Sequence, residues 1–343
     1  MHFKMVYYIL FEVKTRYISG LLFFIGGKNV NKIFKSFLTV CMAMLLLLTV
    51  GCNDTSKKES TPKKKADFPV TLTDATKKEI IIEKKPQKIV SLIPSNTETA
   101  FALGLNEEII GVSEFDNYPE EATKKEKVSG MEINVEKIIS LDPDLVLAHE
   151  SMLGQAGQAF DQLKASNINV IVISNATSFN DVYESINTIG KATGKSDEAS
   201  KIVKDMKSNI DSIKNKVQGE GKQKVWVEVS PAPEIYTTGE GTFMHEMLSL
   251  LGAENVAGDQ KGWVKLSEET VVQKNPDVIL TTYGAYTPNA TQQVLDRKAW
   301  SNVNAIKNKK VFDLNDDLVS RPGPRLAKGV EEIAKALYPE IIK

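Results

Sequence analysis

Residues 136–147 read E-K-I-I-S-L-D-P-D-L-V-L, and residues 269–280 read E-T-V-V-Q-K-N-P-D-V-I-L. The two stretches align without a gap at an offset of 133 residues (269 − 136). Each predicts a short amphipathic helix that opens with a glutamate, then an Asp/Asn-Pro-Asp turn and a buried strand. Because internal self-similarity marks a repeated structural unit, the sequence predicts two related lobes, each with a glutamate at the same place.

Strands and helices alternate around both copies of this phrase. A hairpin at Val70–Thr73 and Glu79–Ile82 is followed by a strand at 89–92, a helix at 96–103 and a strand at 109–112, and the alternation resumes after residue 225. Such alternation is typical of α/β lobes, each with a mostly parallel central sheet flanked by helices. The sequence therefore predicts a two-lobed α/β fold.

A long helix is predicted between the lobes, from Ser196 as its N-cap to Val217, with its apolar residues in one stripe. At 1.5 Å per residue it is about 33 Å long, enough to reach across two lobes. We therefore expect an N-terminal lobe at residues 68–195, a linking helix at 196–218 and a C-terminal lobe at 219–343.

The first residues have the layout of a bacterial lipoprotein signal peptide. Lys32 and Lys35 precede an apolar stretch at 37–50, and Gly51 is followed by Cys52. We expect residues 1–51 to be removed, Cys52 to carry lipid, and the polar residues 52–67 to form a flexible tether. A plain secretory signal with an incidental cysteine is the alternative. Residues 1–29 fit no part of a signal peptide, and a translation start at Val30 would explain them.

Composition excludes several functions. The formal net charge of the 343 residues is −1, which gives no electrostatic case for nucleic acid. Both cysteines, Cys41 and Cys52, precede the folded body, so that body has no disulfide, thiolate metal site or cysteine nucleophile. No phosphate-binding loop, dinucleotide loop, serine-hydrolase motif or usual metal-ligand spacing is present. The sequence thus predicts no catalytic residue, no metal site and no cofactor.

Several motifs, in order, carry a resemblance to a known family. They are I-V-S-L-I-P-S-N-T-E at 89–98, A-L-G at 102–104, Y-P at 118–119, N-V-E-K-I at 134–138, P-D-L-V at 143–146 and R-P-G-P-R at 321–325. Together they resemble the helical-backbone (class III) substrate-binding proteins of ABC importers, over nearly all of residues 68–340. The cobalamin-binding branch is the most similar, and the siderophore and haem binders are its cousins.

The resemblance implies a partner and a location. In that family a glutamate on each lobe pairs with arginines on the two permease subunits, and the matching residues here are Glu136 and Glu269. Two equivalent carboxylates suit a permease with two equivalent subunits. The alternative is a pair of solvated glutamates favoured by their helix dipoles. We therefore expect a monomeric receptor, anchored to the outer face of the bacterial membrane through Cys52, that serves an ABC permease dimer.

Ligand contacts are expected on the loops that leave the carboxyl ends of the strands, where open α/β sheets bind ligands. The candidates in the two lobes are Ser95, Asn96, Asn117, Tyr118, His149, Glu150, Ser230, Tyr236, Trp263, Asp317 and Arg321. Trp263 lies in a polar loop and is expected to face a flat ring, whereas Trp226 and Trp300 are expected in the core. A salt bridge to Asp316 or Asp317 is the alternative for Arg321, and a bonded loop residue is the alternative for His149.

Three functions remain after these observations. The first is a receptor for cobalamin or a related corrinoid, a bulky ring with an amide fringe. A ferric siderophore or haem receptor of the same family is the second. Leu318 and Val319 stand where the cobalamin binders carry bulky aromatics, which weakens the case for the ligand more than for the family. The third is an enzyme with a two-lobed cleft, which would need a nucleophile or an acid/base cluster.

Overall fold

The computed structural model describes residues 68–342, which form two parallel sheets joined by one long helix, together with two antiparallel strand pairs. The predicted signal peptide, Cys52 and the tether lie outside the described residues. None of the helices in residues 68–342 is long and apolar enough to cross a membrane.

The N-terminal lobe contains a hairpin and a parallel sheet. Its strands are β1 (Val70–Thr73), β2 (Glu79–Ile82), β3 (Ile89–Ser91), β4 (Ile109–Ser113), β5 (Glu126–Ser129), β6 (Leu145–His149) and β7 (Asn169–Ile173). β1 and β2 pair antiparallel, and the other five are parallel in the spatial order β5-β4-β3-β6-β7. β3 and β6 are buried along their whole length, as expected for strands covered by helices on both faces.

The helices of this lobe connect and cover those strands. They are α1 (Pro94–Ala102), α2 (Glu120–Thr123), α3 (Val135–Leu141), α4 (Leu153–Ala165) and α5 (Phe179–Ala192), with a short 3-10 turn at Glu150–Met152. Ser178 caps α5 in a capping box, since its hydroxyl accepts from the Asp181 amide while the Asp181 carboxylate accepts from the Ser178 amide.

One long helix, α6 (Ser196–Val217), runs between the two sheets. Its buried residues form a single stripe of Ala199, Val203, Met206, Ile210, Ile213 and Val217. The N-cap is Lys195 rather than the predicted Ser196, which is instead the first helical residue. No side chain caps this end, so the first-turn acids Asp197 and Glu198 supply the favourable charge for the helix dipole.

The C-terminal lobe repeats the plan with a smaller sheet. Its strands are β8 (Lys224–Glu228), β9 (Tyr236–Thr238), β10 (Glu254–Asn255), β11 (Trp263–Lys265), β12 (Val278–Thr281) and β13 (Val311–Asp313). Four of them are parallel in the order β10-β8-β12-β13, and β9 pairs antiparallel with β11. Its helices are α7 (Phe243–Leu250), α8 (Glu268–Lys274), α9 (Ala290–Leu295), α10 (Asn304–Lys307), α11 (Asp316–Val319) and α12 (Leu326–Leu337), with a 3-10 turn at Lys298–Trp300.

The repeated phrase has the same structure in both lobes. Its two helices, α3 and α8, end on left-handed residues at equivalent positions, Asp142 (φ 51°) and Asn275 (φ 45°). Two residues later, the Asp144 carboxylate accepts from the Lys88 amide at 2.9 Å and the Asp277 carboxylate from the Lys224 amide at 3.1 Å. Each aspartate thereby ties its own strand, β6 or β12, to the start of the neighbouring strand, β3 or β8.

A single hydrophobic cluster connects the lobes. It contains Ile89 and Leu147 from the first sheet, Val225 and Leu280 from the second, and the buried stripe of α6. α6 packs against α5 of the first lobe and α12 of the second. The linking helix is thus embedded in one continuous core instead of forming a free hinge.

Candidate functional site

An open cavity of about 310 Å³ lies where the carboxyl ends of the two sheets face each other. Its walls come from both lobes: Ile93, Pro94, Ser95, His149, Asn175, Asp316, Asp317, Ser320, Arg321 and Pro322. A second cavity, of about 390 Å³, shares Asp316 and Ser320 with the first and is otherwise lined by Val229, Ser230, Tyr236, Trp263, Thr282 and Tyr286. We call the two adjoining cavities the cleft.

The cleft lies at the topological switch points of both sheets. In the first sheet the strand order reverses between β3 and β6, and Ser95 and His149 lie at the carboxyl ends of those two strands. In the second sheet it reverses between β8 and β12, which lead into Ser230 and Thr282. Open parallel sheets bind ligands at such crevices because the loops diverge there. In both lobes, the sheet edge at which ligands usually bind therefore faces the cleft.

The structure brings seven of the eleven predicted ligand residues to the cleft. Ser95, His149, Asp317 and Arg321 line the first cavity, and Ser230, Tyr236 and Trp263 line the second. Asn117 adjoins them, since its amide donates to the Asp317 carboxylate at 2.8 Å. Trp226 and Trp300 are fully buried in the C-terminal core, as predicted, whereas 57% of Trp263 is exposed.

Asn96 is a correction to the prediction. Only 2% of this residue is exposed, and its side-chain amide donates to the Ala148 carbonyl at 3.0 Å. It therefore anchors α1 to the end of β6 instead of facing the cleft. A buried amide needs such a partner, because an unsatisfied polar group would cost about 1–3 kcal/mol.

Glu150 and Tyr118 also lie outside the cleft walls. The Glu150 carboxylate accepts from the Asn175 amide at 2.8 Å, so it holds a cleft residue without lining the cleft itself. The Tyr118 ring packs under the guanidinium of Arg325 at 3.8 Å and lines a separate cavity of about 420 Å³ between the lobes. Tyr118, directly before Pro119, thus makes a structural contact with Arg325 and does not line the cleft.

Arg321 belongs to an ion cluster that joins the lobes. It donates to Glu98 at 2.6 Å, Asp317 at 2.5 Å and the Asn117 amide oxygen at 2.9 Å. Arg325 donates to both oxygens of Glu98, at 2.5 and 2.9 Å. We call Glu98, Asp317, Arg321 and Arg325 the interlobe ion cluster. Its geometry shows the salt bridge to Asp317 that was the alternative for Arg321, so the guanidinium is already engaged at the cleft wall.

Sequence reasoning missed Glu98 and Tyr286. Glu98 is 3% exposed, and the only local signal was its place within the polar motif at 95–98. Tyr286 is 67% exposed and lines the cleft. It follows buried β12 by five residues, so the rule that ligands meet the carboxyl ends of strands could have found it.

His149 lines the cleft and is 5% exposed. Its Nδ1 accepts from the Ser151 amide at 3.2 Å, so the proton of the neutral ring resides on Nε2. Burial lowers the pKa of His149, and the nearby Glu150 only partly opposes this effect. The ring is therefore neutral at physiological pH, and its Nε2–H suits an oxygen acceptor better than a metal ion.

Glu136 and Glu269 occupy equivalent, exposed positions in the first turns of α3 and α8. Asn134 caps α3 and Ser267 caps α8, so each carboxylate projects from a capped helix start. A hydrogen bond from Ser267 lowers the pKa of Glu269, which keeps it charged near neutral pH. No ion pair forms at either carboxylate within residues 68–342. Residues 68–342 also contain no group of three or more His, Cys, Asp or Glu able to hold a metal ion.

A family model described as periplasmic binding protein matches residues 89–318. The chain belongs to this periplasmic binding protein family. An ABC transporter substrate-binding lipoprotein of Bacillus subtilis, YvrC, described as uncharacterized, is 47% identical over 88% of this chain and 97% of its own length. A cobalamin-binding protein of Halobacterium salinarum is 30% identical over 79% of this chain and 74% of its own.

A solved structure shows the same architecture. It is that of a possible iron-binding, periplasmic solute-binding protein from Staphylococcus epidermidis, which is 38% identical, covers 74% of this chain and all of that one, and gives a TM-score of 0.69. As a member of this family that is 47% identical to an ABC transporter substrate-binding lipoprotein, the chain is the substrate-binding component of an ABC transporter. Membership confirms both the predicted family and the prediction of a solute-binding protein instead of an enzyme.

Proposed function

We propose that this protein captures a corrinoid, cobalamin or a close relative, in the cleft and delivers it to an ABC permease dimer. The observation that carries the proposal is the meeting of both switch points at one cleft with three exposed aromatic rings. Trp263, Tyr236 and Tyr286 are 57%, 40% and 67% exposed there. Such faces pack on a large ring, and the donors of His149 and Ser95 suit its amide fringe.

A ferric siderophore is the second candidate ligand. The possible iron-binding protein from Staphylococcus epidermidis favours it, at 38% identity. The Halobacterium salinarum cobalamin-binding protein, at 30% identity, supports the corrinoid. Chemistry within the cleft supports the corrinoid further, because hydrogen-bond donors and aromatic faces line it while its one arginine is already paired.

Fluorescence titration tests the ligand directly. Trp263 is exposed in the cleft, whereas Trp226 and Trp300 are fully buried, so Trp263 is the tryptophan that a bound ligand can contact. We expect cyanocobalamin to quench all three tryptophans of the purified protein by energy transfer, and Trp263→Phe to weaken its binding. Because corrinoids absorb light, calorimetry on the same samples must give the same Kd. Tight binding of ferric hydroxamates with none of corrinoids would transfer the assignment to siderophores.

Delivery is proposed to use Glu136 and Glu269 as contacts for the two permease subunits. Both are exposed and related by the internal repeat. Each of two equivalent permease subunits could therefore bind one of these two equivalent carboxylates. We further propose that the protein acts as a monomer on the outer face of the membrane, held by lipid on Cys52. The lipoprotein name of the Bacillus subtilis relative supports that location.

Removing both docking carboxylates should uncouple transport from binding. In the Glu136→Ala/Glu269→Ala double variant we expect uptake to fall about tenfold at low salt, since rim charges act mainly on association rates. Ligand affinity in solution should stay unchanged, because both residues lie outside the cleft. Radiolabelled uptake by cells and calorimetry measure the two quantities.

The matched control is Glu184→Ala/Glu331→Ala, which removes one helix glutamate from each lobe away from α3 and α8. Its uptake should match that of the wild type. Normal uptake by the docking double variant would remove the docking assignment while leaving the receptor assignment in place.

A further inference from the structure

The cleft contains one carboxylate with no cation to balance it. The charged side chains that line it, among the described residues, are Asp316, Asp317 and Arg321. Arg321 is paired with Asp317 and Glu98, and Glu98 is paired in turn with Arg325, so these four charges cancel. Asp316 is exposed and accepts from the Ser320 hydroxyl at 2.6 Å, with no ion pair to any residue within 68–342. The cleft therefore has a net negative charge.

Asp316 occupies the junction of the two cavities. It lines both of them, so a solute that fills the cleft must pass close to it. The charge of Asp316 acts on Tyr286, which lines the second cavity. The pKa of Tyr286 is raised by burial first and then by repulsion from Asp316 and Asp313. His149 on the opposite wall supplies no balancing charge, because its ring is neutral.

The aromatic rings near Asp316 also favour a positively charged solute. Trp263, Tyr236 and Tyr286 line the cavity that Asp316 closes at one side. The face of an aromatic ring carries partial negative charge and attracts cations. A carboxylate together with such faces stabilises a positive solute and repels an anionic one, since Coulomb energies grow as the bound solute displaces water from the cleft.

We propose that the cleft selects solutes without net negative charge, prefers cationic over neutral ones, and makes this choice through Asp316. This inference rests on the proposed receptor function and narrows its ligand. Aquacyanocobinamide, which lacks the nucleotide phosphate, is cationic, and cyanocobalamin is neutral. Ferric hydroxamates are neutral or cationic as well. Haem, with two propionates, and ferric catecholates are anionic and should be excluded.

Paired probes test the charge preference. Calorimetry would compare aquacyanocobinamide (cationic) with cyanocobalamin (neutral), ferrioxamine B (cationic) with ferrichrome (neutral), and haemin and ferric enterobactin as anions. Within the ligand class that binds, Asp316→Asn should weaken the cationic probe about three- to tenfold and change the neutral one less than about twofold. The control Asp197→Asn removes the same charge from the first turn of α6, outside the cleft, and should change neither.

A second measurement serves if the Asn variant folds poorly. In the wild-type protein, affinity for the cationic probe should fall as salt rises from 50 to 500 mM, while affinity for the neutral probe stays level. Tighter binding of haemin or ferric enterobactin than of the neutral probes would overturn the inference and leave the receptor standing. Equal effects of Asp316→Asn on cationic and neutral probes would also overturn it. Failure of all six probes to bind would contradict the proposed receptor function itself, and the inference with it.

Discussion

Replacing Arg297 by methionine should lower the free energy of unfolding by about 3–5 kcal/mol. Arg297 donates to both oxygens of Glu228, at 2.6 and 2.7 Å, and Glu228 is completely buried at the end of β8. The Tyr283 hydroxyl, at 2.5 Å, and the Trp226 indole Nε1, at 3.4 Å, also donate to this carboxylate. Without the guanidinium, a charge would remain in the core with no counter-ion, and this is the costly state.

Urea denaturation measures this loss, and two further variants calibrate it. Lys201→Met breaks an exposed pair with Asp205 and should cost about 0–1 kcal/mol. Combining Glu228→Leu with Arg297→Met removes both charges, and the double variant should be more stable than Arg297→Met alone, since hydrophobic replacement of a whole buried pair is often neutral. A loss below about 1 kcal/mol in Arg297→Met would show that the pair does not behave as a buried one.

Glu98→Ala should loosen the contact between the lobes. This carboxylate lies in α1 of the first lobe and accepts from Arg321 and Arg325 of the second. Its removal leaves two guanidinium groups, 12% and 15% exposed, with Asp317 as their nearest remaining carboxylate. We expect a loss of about 2–3 kcal/mol, the scale of hydrogen bonds to charged groups, and a broader distribution of distances between the lobes.

Spin labels can report that distribution cleanly, because the folded body has no cysteine of its own. Asp161→Cys on α4 and Gln292→Cys on α9 place one label in each lobe at exposed sites. Glu98→Gln, which keeps an acceptor of similar size, should give an intermediate width. If the distance distribution of Glu98→Ala matches that of the parent, the interlobe ion cluster does not hold the lobes, and α6 with its core does so alone.

Local patterns predicted most of the framework. The hairpin has the predicted bounds, because the alternation of β1 (V-T-L-T), the β-branched run of β2 (E-I-I-I) and the polar turn between them are local signals. The repeated phrase also matched its structure, since an Asp/Asn-Pro-Asp turn favours a left-handed helix end followed by a strand. Short elements such as β10 and α11 were not predicted, as two to four residues give too little periodicity to recognise.

The contacts that the sequence did not predict are mainly those between residues far apart in the chain. Glu98 meets its arginines 223 and 227 residues later in the chain, and Asn96 meets the Ala148 carbonyl 52 residues later. No local pattern indicates such pairings, so the sequence predicts Asn96 in the cleft and no role for Glu98. Ser95, His149 and Ser230 lie at the cleft because parallel strands all end at one edge, and their contact with a ligand stays a prediction.

The continuous hydrophobic cluster around α6 limits the conformational change by which the ligand-bound receptor can differ from the empty one. Swinging the lobes apart would expose apolar surface at about 2.5 kcal/mol for each 100 Å². An open conformation that exposed even about 200 Å² of apolar surface would then be populated by fewer than about one molecule in a thousand. We therefore expect the permease to recognise small rearrangements of the loops at the cleft rim, and empty receptors to compete for it almost as well as loaded ones.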